Sequence, residues 1–148
     1  MHRSIVPDII ATKQTLTTLG AEVTVRQAAR LMAEKHIGAL LVTANGKLEG
    51  IFTERDVLNR VVAPGKDPDT TKVGEVMTRN PDTVTSEATA LDTLIRMQNK
   101  GYRHLPVVDD GQLVGIVSIR DLFNAVKREL EEDIQEREAF IFGATAAG

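Results

Sequence analysis

Cysteine and tryptophan are absent from the 148 residues of this chain, and aromatic residues make up only 3% of it. Without cysteine, the chain has no disulfide framework, no thiolate metal ligand and no sulfur nucleophile. With so few aromatic rings, aliphatic side chains must fill the core, and few rings are available to stack on bases. No stretch approaches the roughly 18 to 20 apolar residues of a membrane span. These absences exclude a disulfide-stapled fold and a transmembrane helix.

An excess of positive charge is also missing, since the formal net charge is -3. The chain therefore offers no basic field to the phosphates of DNA or RNA. Its 42% hydrophobic and 26% charged residues are typical of a globular protein, and its length suits one domain or two small units with a shared core. The segment from Met1 to Thr12 lacks the basic and apolar regions of a secretory signal. We expect a cytoplasmic protein that binds neither nucleic acid nor a membrane.

A repeat with a shift of 65 residues runs through the chain. The segment GIFTERD at 50–56 returns as GIVSIRD at 115–121, with glycine, isoleucine, a hydroxyl residue, arginine and aspartate in place. A looser echo joins the apolar segments 6–10 and 73–77, which precede the two copies. Upstream of the motif the shift holds without a gap, pairing Thr24 with Thr89, Met32 with Met97, Leu40 with Leu105, Val42 with Val107 and Gly46 with Gly111. The chain therefore consists of two copies of one unit.

The two copies predict a division of the chain into three parts. Residues 1–65 form the first unit with its lead segment, residues 66–130 form the second unit with a linker, and residues 131–148 form a C-terminal helix and tail. A unit of this size cannot cover its own sheet, so we expect the two to pack face to face with pseudo-twofold symmetry. Such packing creates two related clefts between them.

Each copy predicts the element order βαββα, which makes the fold class α/β (α+β). The apolar periodicity predicts a helix over Val25–Lys35, with Thr24 as its N-cap, and a counterpart over Leu91–Lys100. Continuous apolar runs at 39–42 and 105–108 predict buried strands, and each is followed by a glycine turn into a hairpin. A long charged helix is expected from about Arg120 to Phe140, with its end near Gly143.

The hydroxyl and aspartate of the repeated motif admit two interpretations. Thr53 and Ser118 fall where a strand gives way to a helix, and Asp56 and Asp121 fall in the first turn, as in a capping box that only stabilises the helix. Aspartate is, however, a weaker capping partner than glutamate, and a short carboxylate suits the two hydroxyls of a ribose. The helix start and nearby arginines would then receive phosphate.

At these motifs the chain resembles a tandem pair of CBS domains, often called a Bateman module. The resemblance rests on segments 50–56 and 115–121, on IGALLV at 37–42 and on RHLPVV at 103–108, and it extends from about Val6 to Lys127. It implies a regulatory module that binds an adenosine-containing nucleotide between its units. AMP is the first expectation, and ADP, ATP, NAD(H) and S-adenosylmethionine are the alternatives. It also implies a homodimer and a regulated protein that the sequence does not name.

The resemblance assigns residues to both clefts. In the first cleft, ribose contacts are expected from Thr53 and Asp56, and adenine contacts from the strand Asp82, Thr83 and Val84. Phosphate contacts are expected from Arg103, His104 and Arg120, and Pro106 turns the chain toward the cleft. The mirror cleft takes Ser118 and Asp121 for ribose, Thr17 and Thr18 for adenine and Arg55 for phosphate, while Gly38 and Ala39 stand where the first cleft has Arg103 and His104. The mirror cleft would accept a nucleoside-like group or part of a dinucleotide, or remain empty.

Catalysis and metal binding find no support in the sequence. It has no glycine-rich phosphate loop, nucleophile elbow or metal-binding histidine pair. Its histidines, His2, His36 and His104, do not cluster, and we expect His36 to face solvent. His104 and Arg103 also suit a half-buried strand position and a surface ion pair. The alternative to a nucleotide sensor is a protein-interaction adaptor that needs no ligand.

Overall fold

The computed structural model describes residues 3–10 and 14–147, so His2 lies outside the described part of the chain. The first unit contains β1 (Thr18–Leu19), α1 (Val25–Lys35), β2 (Ala39–Ala44), β3 (Lys47–Thr53) and α2 (Glu54–Asp56), which continues as a π-helical segment, Val57–Val62. The second contains α3 (Val73–Val76), β4 (Thr78–Arg79), α4 (Ala90–Lys100), β5 (His104–Asp109), β6 (Gln112–Ser118) and α5 (Ile119–Ala147). A π-helical turn, Ile5–Ile9, precedes them. The fold is a mixed α+β fold, as predicted.

The helices α1 and α4 and both hairpins lie where the capping and turn residues of the sequence predict them. The Thr24 hydroxyl oxygen accepts a hydrogen bond from the Gln27 amide, and α1 has the predicted bounds. α4 begins one residue earlier than predicted, after Thr89. In the first hairpin Asn45 and Gly46 have φ values of 53° and 78°, and the second hairpin repeats this geometry. Both predicted hairpins are confirmed.

The two units differ in the strand that opens them. In the first unit β1 runs parallel to β2, in a sheet of order β1-β2-β3-β4. The last strand of this sheet, β4, comes from the segment that precedes the second unit. In the second unit the predicted strand of Asp82, Thr83 and Val84 is reduced to one bridge between Val84 and Val107, beside the pair β5-β6. The ladder is short because Pro106 of β5 has no N–H to donate. The prediction of a full strand there was wrong.

The C-terminal helix is longer than the sequence predicts. α5 runs from Ile119 to Ala147 and passes Gly143, where we expected it to end. Glycine in a helix costs only about 1 kcal/mol, so one such residue does not stop a helix whose neighbours favour it. In the described part of the chain, no helix combines the length and apolar character needed to cross a membrane.

The lead segments are exchanged between the units, which the sequence does not predict. Ile5 and Ile10 belong to the core cluster of the second unit, whereas Val73 and Val76 belong to that of the first. Backbone hydrogen bonds fix the exchange: the amide of Ile5 donates to the Ala88 carbonyl at 3.0 Å, and that of Val73 donates to the Val23 carbonyl at 2.8 Å. Each unit therefore completes its core with the segment that precedes the other. The division at residues 65 and 130 stays a prediction.

A third apolar cluster joins the sheets of the two units. Buried Ala39, Leu41 and Ile51 of the first sheet pack against partly buried Leu113 and Ile116 of β6. The two sheets thus contact each other through their inner faces. The space left beside this contact forms the clefts.

Replacement of Ile5 by alanine tests the exchange. Ile5 is 0% exposed in the core of the second unit, so the change should lower the free energy of unfolding by about 2 to 5 kcal/mol, as large-to-small core substitutions do. Ile95→Ala is the control, because it makes the same change at a side chain that is 46% exposed. Urea unfolding measures both. Equal, small effects would show that the lead segment does not dock.

Candidate functional site

The repeated motif forms a capping box in both units. Thr53 ends β3, its hydroxyl oxygen accepts from the Asp56 amide at 3.3 Å, and Asp56 Oδ2 accepts from the Thr53 amide at 2.9 Å and hydroxyl at 3.2 Å. Ser118 and Asp121 repeat the two backbone contacts at 3.1 and 3.4 Å. The capping contacts are therefore present in both units. A carboxylate has about four acceptor positions, so capping leaves room for a ligand's hydroxyls.

A second matched contact holds each helix start against its own sheet. The Glu54 amide donates to the Gly38 carbonyl at 3.0 Å, and the Ile119 amide donates to the Arg103 carbonyl at 2.8 Å. Each bond ties the first residue after the hydroxyl to the chain that enters the second strand of its unit. The side chains of Arg103 and His104 are thereby placed at the cleft.

The first cleft is a cavity of about 270 Å³ between the units. The predicted residues that line it are Thr53, Asp56, Asp82, Arg103 and His104. The lining does not include Thr83, Val84, Pro106 or Arg120 in the part of the chain that the structure describes. Val84 and Pro106 are buried in the sheet instead.

The mirror cleft is a larger cavity of about 670 Å³. The predicted residues that line it are Thr17, Gly38, Ala39, Ser118 and Asp121. Thr18, which pairs with Leu41 in the sheet, is not among the lining residues that the structure describes. Gly38, Glu54, Arg103 and His104 line both cavities, so the two clefts share one wall.

The two motif arginines lie in the clefts opposite to those we expected. Arg55 lines the first cavity and Arg120 lines the mirror cavity. Each arginine sits in the first turn of a helix, between the hydroxyl residue and the aspartate, and therefore stays with the motif of its own unit. Arg55 Nη1 also donates to the Gly101 carbonyl of the second unit at 3.0 Å. The assignment of Arg120 to the first cleft and Arg55 to the mirror cleft was wrong.

Tyr102 is a lining residue of the first cavity that sequence reasoning missed. Its hydroxyl donates to Asp82 Oδ2 at 2.6 Å, and Arg96 Nη2 lies 3.9 Å from the same oxygen. The hydrogen bond to Asp82 raises the pKa of Tyr102 above its ordinary value. The signal was available, because the chain's only tyrosine stands where the repeat has Ile37. The other lining residues missed are Ile51, Glu54, Asn59, Arg60, Thr78, Pro81, Gly101 and Leu105.

The cations of the first cavity differ in how far they are engaged. Arg60 Nε lies 3.6 Å from Asp56 Oδ1, and Arg60 Nη1 donates to the carbonyls of Val76 and Met77. Arg103 is exposed, and its guanidinium makes no hydrogen bond or ion pair within the residues described by the structure. It is therefore the cation best able to accept an anionic ligand. His36 is exposed, as predicted, and residues 3–10 and 14–147 contain no cluster of three potential metal ligands.

His104 is half-buried in the shared wall. Burial lowers its pKa, Glu54 and Asp121 act against that effect, and Arg103 adds to it. The imidazole is consequently neutral at pH 7 and offers one donor and one acceptor nitrogen.

The lowered pKa of His104 predicts a pH-dependent contribution to stability. At a pH below 6.5, the ordinary pKa of histidine, His104 takes up a proton in the unfolded chain but resists it in the folded protein. The free energy of unfolding therefore decreases as the pH is lowered. His104→Gln should remove this part of the decrease, whereas His36→Gln should retain it. Urea unfolding between about pH 7.5 and about pH 5 measures the difference. Parallel curves for wild type and His104→Gln would contradict the prediction.

Comparison with known proteins agrees with this arrangement. A family model described as the CBS domain matches the chain twice, at residues 6–63 and 73–128. The chain is 38% identical over 125 residues to the CBS domain-containing protein CBSX3, mitochondrial, of Arabidopsis thaliana, covering 81% of this chain and 61% of that protein. It is 42% identical over 113 residues to CBSCBSPB3 of the same plant, covering 75% and 20%. The chain thus spans between about a fifth and three fifths of the length of these relatives.

Solved structures show the same architecture. A CBS-domain containing protein from Agrobacterium tumefaciens has a TM-score of 0.76 at 32% identity, and the match covers 82% of this chain and 98% of that one. A CBS domain protein from Pyrobaculum aerophilum, complexed with AMP, has a TM-score of 0.67 at 29% identity, with coverage of 74% and 84%. These similarities cover both copies of the repeat.

Proposed function

The chain belongs to the CBS domain family, and on that premise we propose that it is a regulatory, non-catalytic module that binds an adenosine-containing nucleotide between its two units. The observation that carries the proposal is the first cavity. There, the hydroxyl and aspartate of one unit face an unengaged arginine and a histidine of the other. AMP is the first candidate, because the similar protein from Pyrobaculum aerophilum is complexed with AMP. ADP, ATP, NAD(H) and S-adenosylmethionine remain the alternatives.

The ribose would contact the motif of the first unit. Asp56 Oδ2 is used by the capping box, while Oδ1 lies 3.6 Å from Arg60 Nε and accepts no hydrogen bond from the residues that the structure describes. A ribose hydroxyl that donates to Oδ1 would therefore leave the cap intact. Arg103 and His104 lie across the cavity, where they would receive the phosphate.

Regulation would follow from the contacts that one ligand makes with both units. A nucleotide that bridges Asp56 and Arg103 binds best when the units hold one relative orientation. It therefore shifts the molecule toward that orientation by its differential affinity. A regulated protein, which remains unidentified, would respond to the shift.

We extend the proposal to a homodimer located in the cytoplasm. Leu58 and Phe123 are related by the 65-residue shift, and both are 59% exposed on the outer helices. A second copy that covers both would bury apolar surface from each unit. The cytoplasmic location stays a prediction, and one relative is named as mitochondrial.

A ligand-independent adaptor is the second candidate. Large apolar side chains are exposed along α5, among them Leu130, Phe140 and Phe142, and such residues favour contact with another protein. The two candidates differ in whether the clefts take a ligand.

Paired aspartate substitutions separate the candidates. Asp56→Asn should weaken AMP binding by about 1 to 3 kcal/mol, or roughly 5- to 150-fold, because a charged acceptor for the ribose is lost. Asp121→Asn alters the same capping position in the mirror cleft and should affect the tightest AMP site much less. Titration calorimetry measures the affinities.

Glu75→Gln is the matched control for capping. Glu75 occupies the same first-turn position in α3, where its carboxylate accepts from the Lys72 amide at 2.7 Å, but it lines neither cavity. Its AMP affinity should equal that of the wild type. Absence of binding by AMP and the other adenosine ligands to folded wild-type protein would favour the adaptor.

A further inference from the structure

We propose that the two clefts bind phosphorylated nucleotides with negative cooperativity, because both direct the phosphate at the same pair of side chains, Arg103 and His104. The inference rests on the proposed function and adds a rule for how the clefts are filled. Occupation of one cleft by AMP would weaken AMP binding in the other, whereas adenosine would fill both without this penalty.

The repeat supplies the pair only once. Arg103 and His104 stand at the start of β5, and the same positions in the first unit hold Gly38 and Ala39, which carry no charge. All four of these residues line the mirror cavity, and all but Ala39 also line the first. Two clefts therefore share one arginine and one histidine at their common wall.

Other cations do not replace the shared pair equally in the two clefts. In the first cavity Arg55 is bonded to the Gly101 carbonyl, and Arg60 is held by Asp56 and two backbone carbonyls. In the mirror cavity the guanidinium of Arg120 makes no hydrogen bond or ion pair with any residue described by the structure. A first AMP that engages Arg103 thus leaves the mirror cleft with Arg120 as its main cation.

The shared wall is also thin and already carries a negative charge. A methyl group added at Gly38 would lie 3.1 Å from Glu54 Oε1 and 3.4 Å from His104 Cε1, so the Glu54 carboxylate and the imidazole approach each other across this glycine. Little protein would then separate phosphates bound on the two sides. Their repulsion adds to the loss of the shared cation and is strengthened by the reduced dielectric of a partly buried site.

The experiment measures AMP affinity at the mirror cleft in two states of the first cleft. In wild-type protein this affinity is the second step of an AMP titration by calorimetry. In Asp56→Asn the first cleft is weakened, so the mirror cleft fills while its neighbour is empty. Asp121→Asn identifies the mirror step by weakening it.

We expect AMP to bind the mirror cleft at least about tenfold more tightly in Asp56→Asn than in the second step of the wild type. The gain should be absent with adenosine, which lacks the phosphate, and should shrink at high ionic strength. If wild-type protein takes up a single AMP, the mirror site should become measurable in Asp56→Asn.

Two results would overturn the inference, and they are distinguishable. Equal AMP affinities of the mirror cleft in both proteins, or an equal gain with adenosine, would show that the clefts do not compete for phosphate contacts, and would leave the proposed function standing. Failure of both AMP and adenosine to bind wild-type protein would overturn the proposed function and this inference together.

Discussion

The exchange of lead segments is the constraint on which the rest of the structure depends. Ile5 is buried in the second unit and Val73 in the first, so each core is complete only when both units are present. The crossed segments therefore hold the two inner sheet faces together. Because the cavities lie between the units, beside the apolar contact of the two sheets, they exist only when both units are packed together.

The residues that cap the helices also present polar side chains to the clefts. Thr53 and Asp56 satisfy each other's backbone groups at the start of α2, which fixes both side chains at the cleft before any ligand arrives. A preorganised carboxylate loses little conformational freedom when it binds. The same residues can thus serve stability and recognition, and the two interpretations of the motif do not exclude each other.

The features that can be predicted from the sequence are those set by neighbouring residues or by the internal repeat. The bounds of α1, both glycine hairpins and the caps follow from residues that act within a few positions of each other. The exchange and the contact between Tyr102 and Asp82 depend on how distant segments meet, and the repeat carries no information about that. The placement of Arg55 and Arg120, by contrast, was readable from the sequence, because each stands within the motif of its own unit. The reduced opening strand was readable from Pro106, since proline cannot donate to a ladder.

The most direct test of the account is amide chemical-shift mapping of the isotopically labelled full chain during titration with AMP. We predict that the amides of Thr53 to Asp56 in one unit and those of Arg103 and His104 in the other shift together and saturate at one concentration. Such coupling requires one ligand to contact both units. Shifts confined to one unit or to the surface of α5, or no shifts in folded protein, would contradict the account.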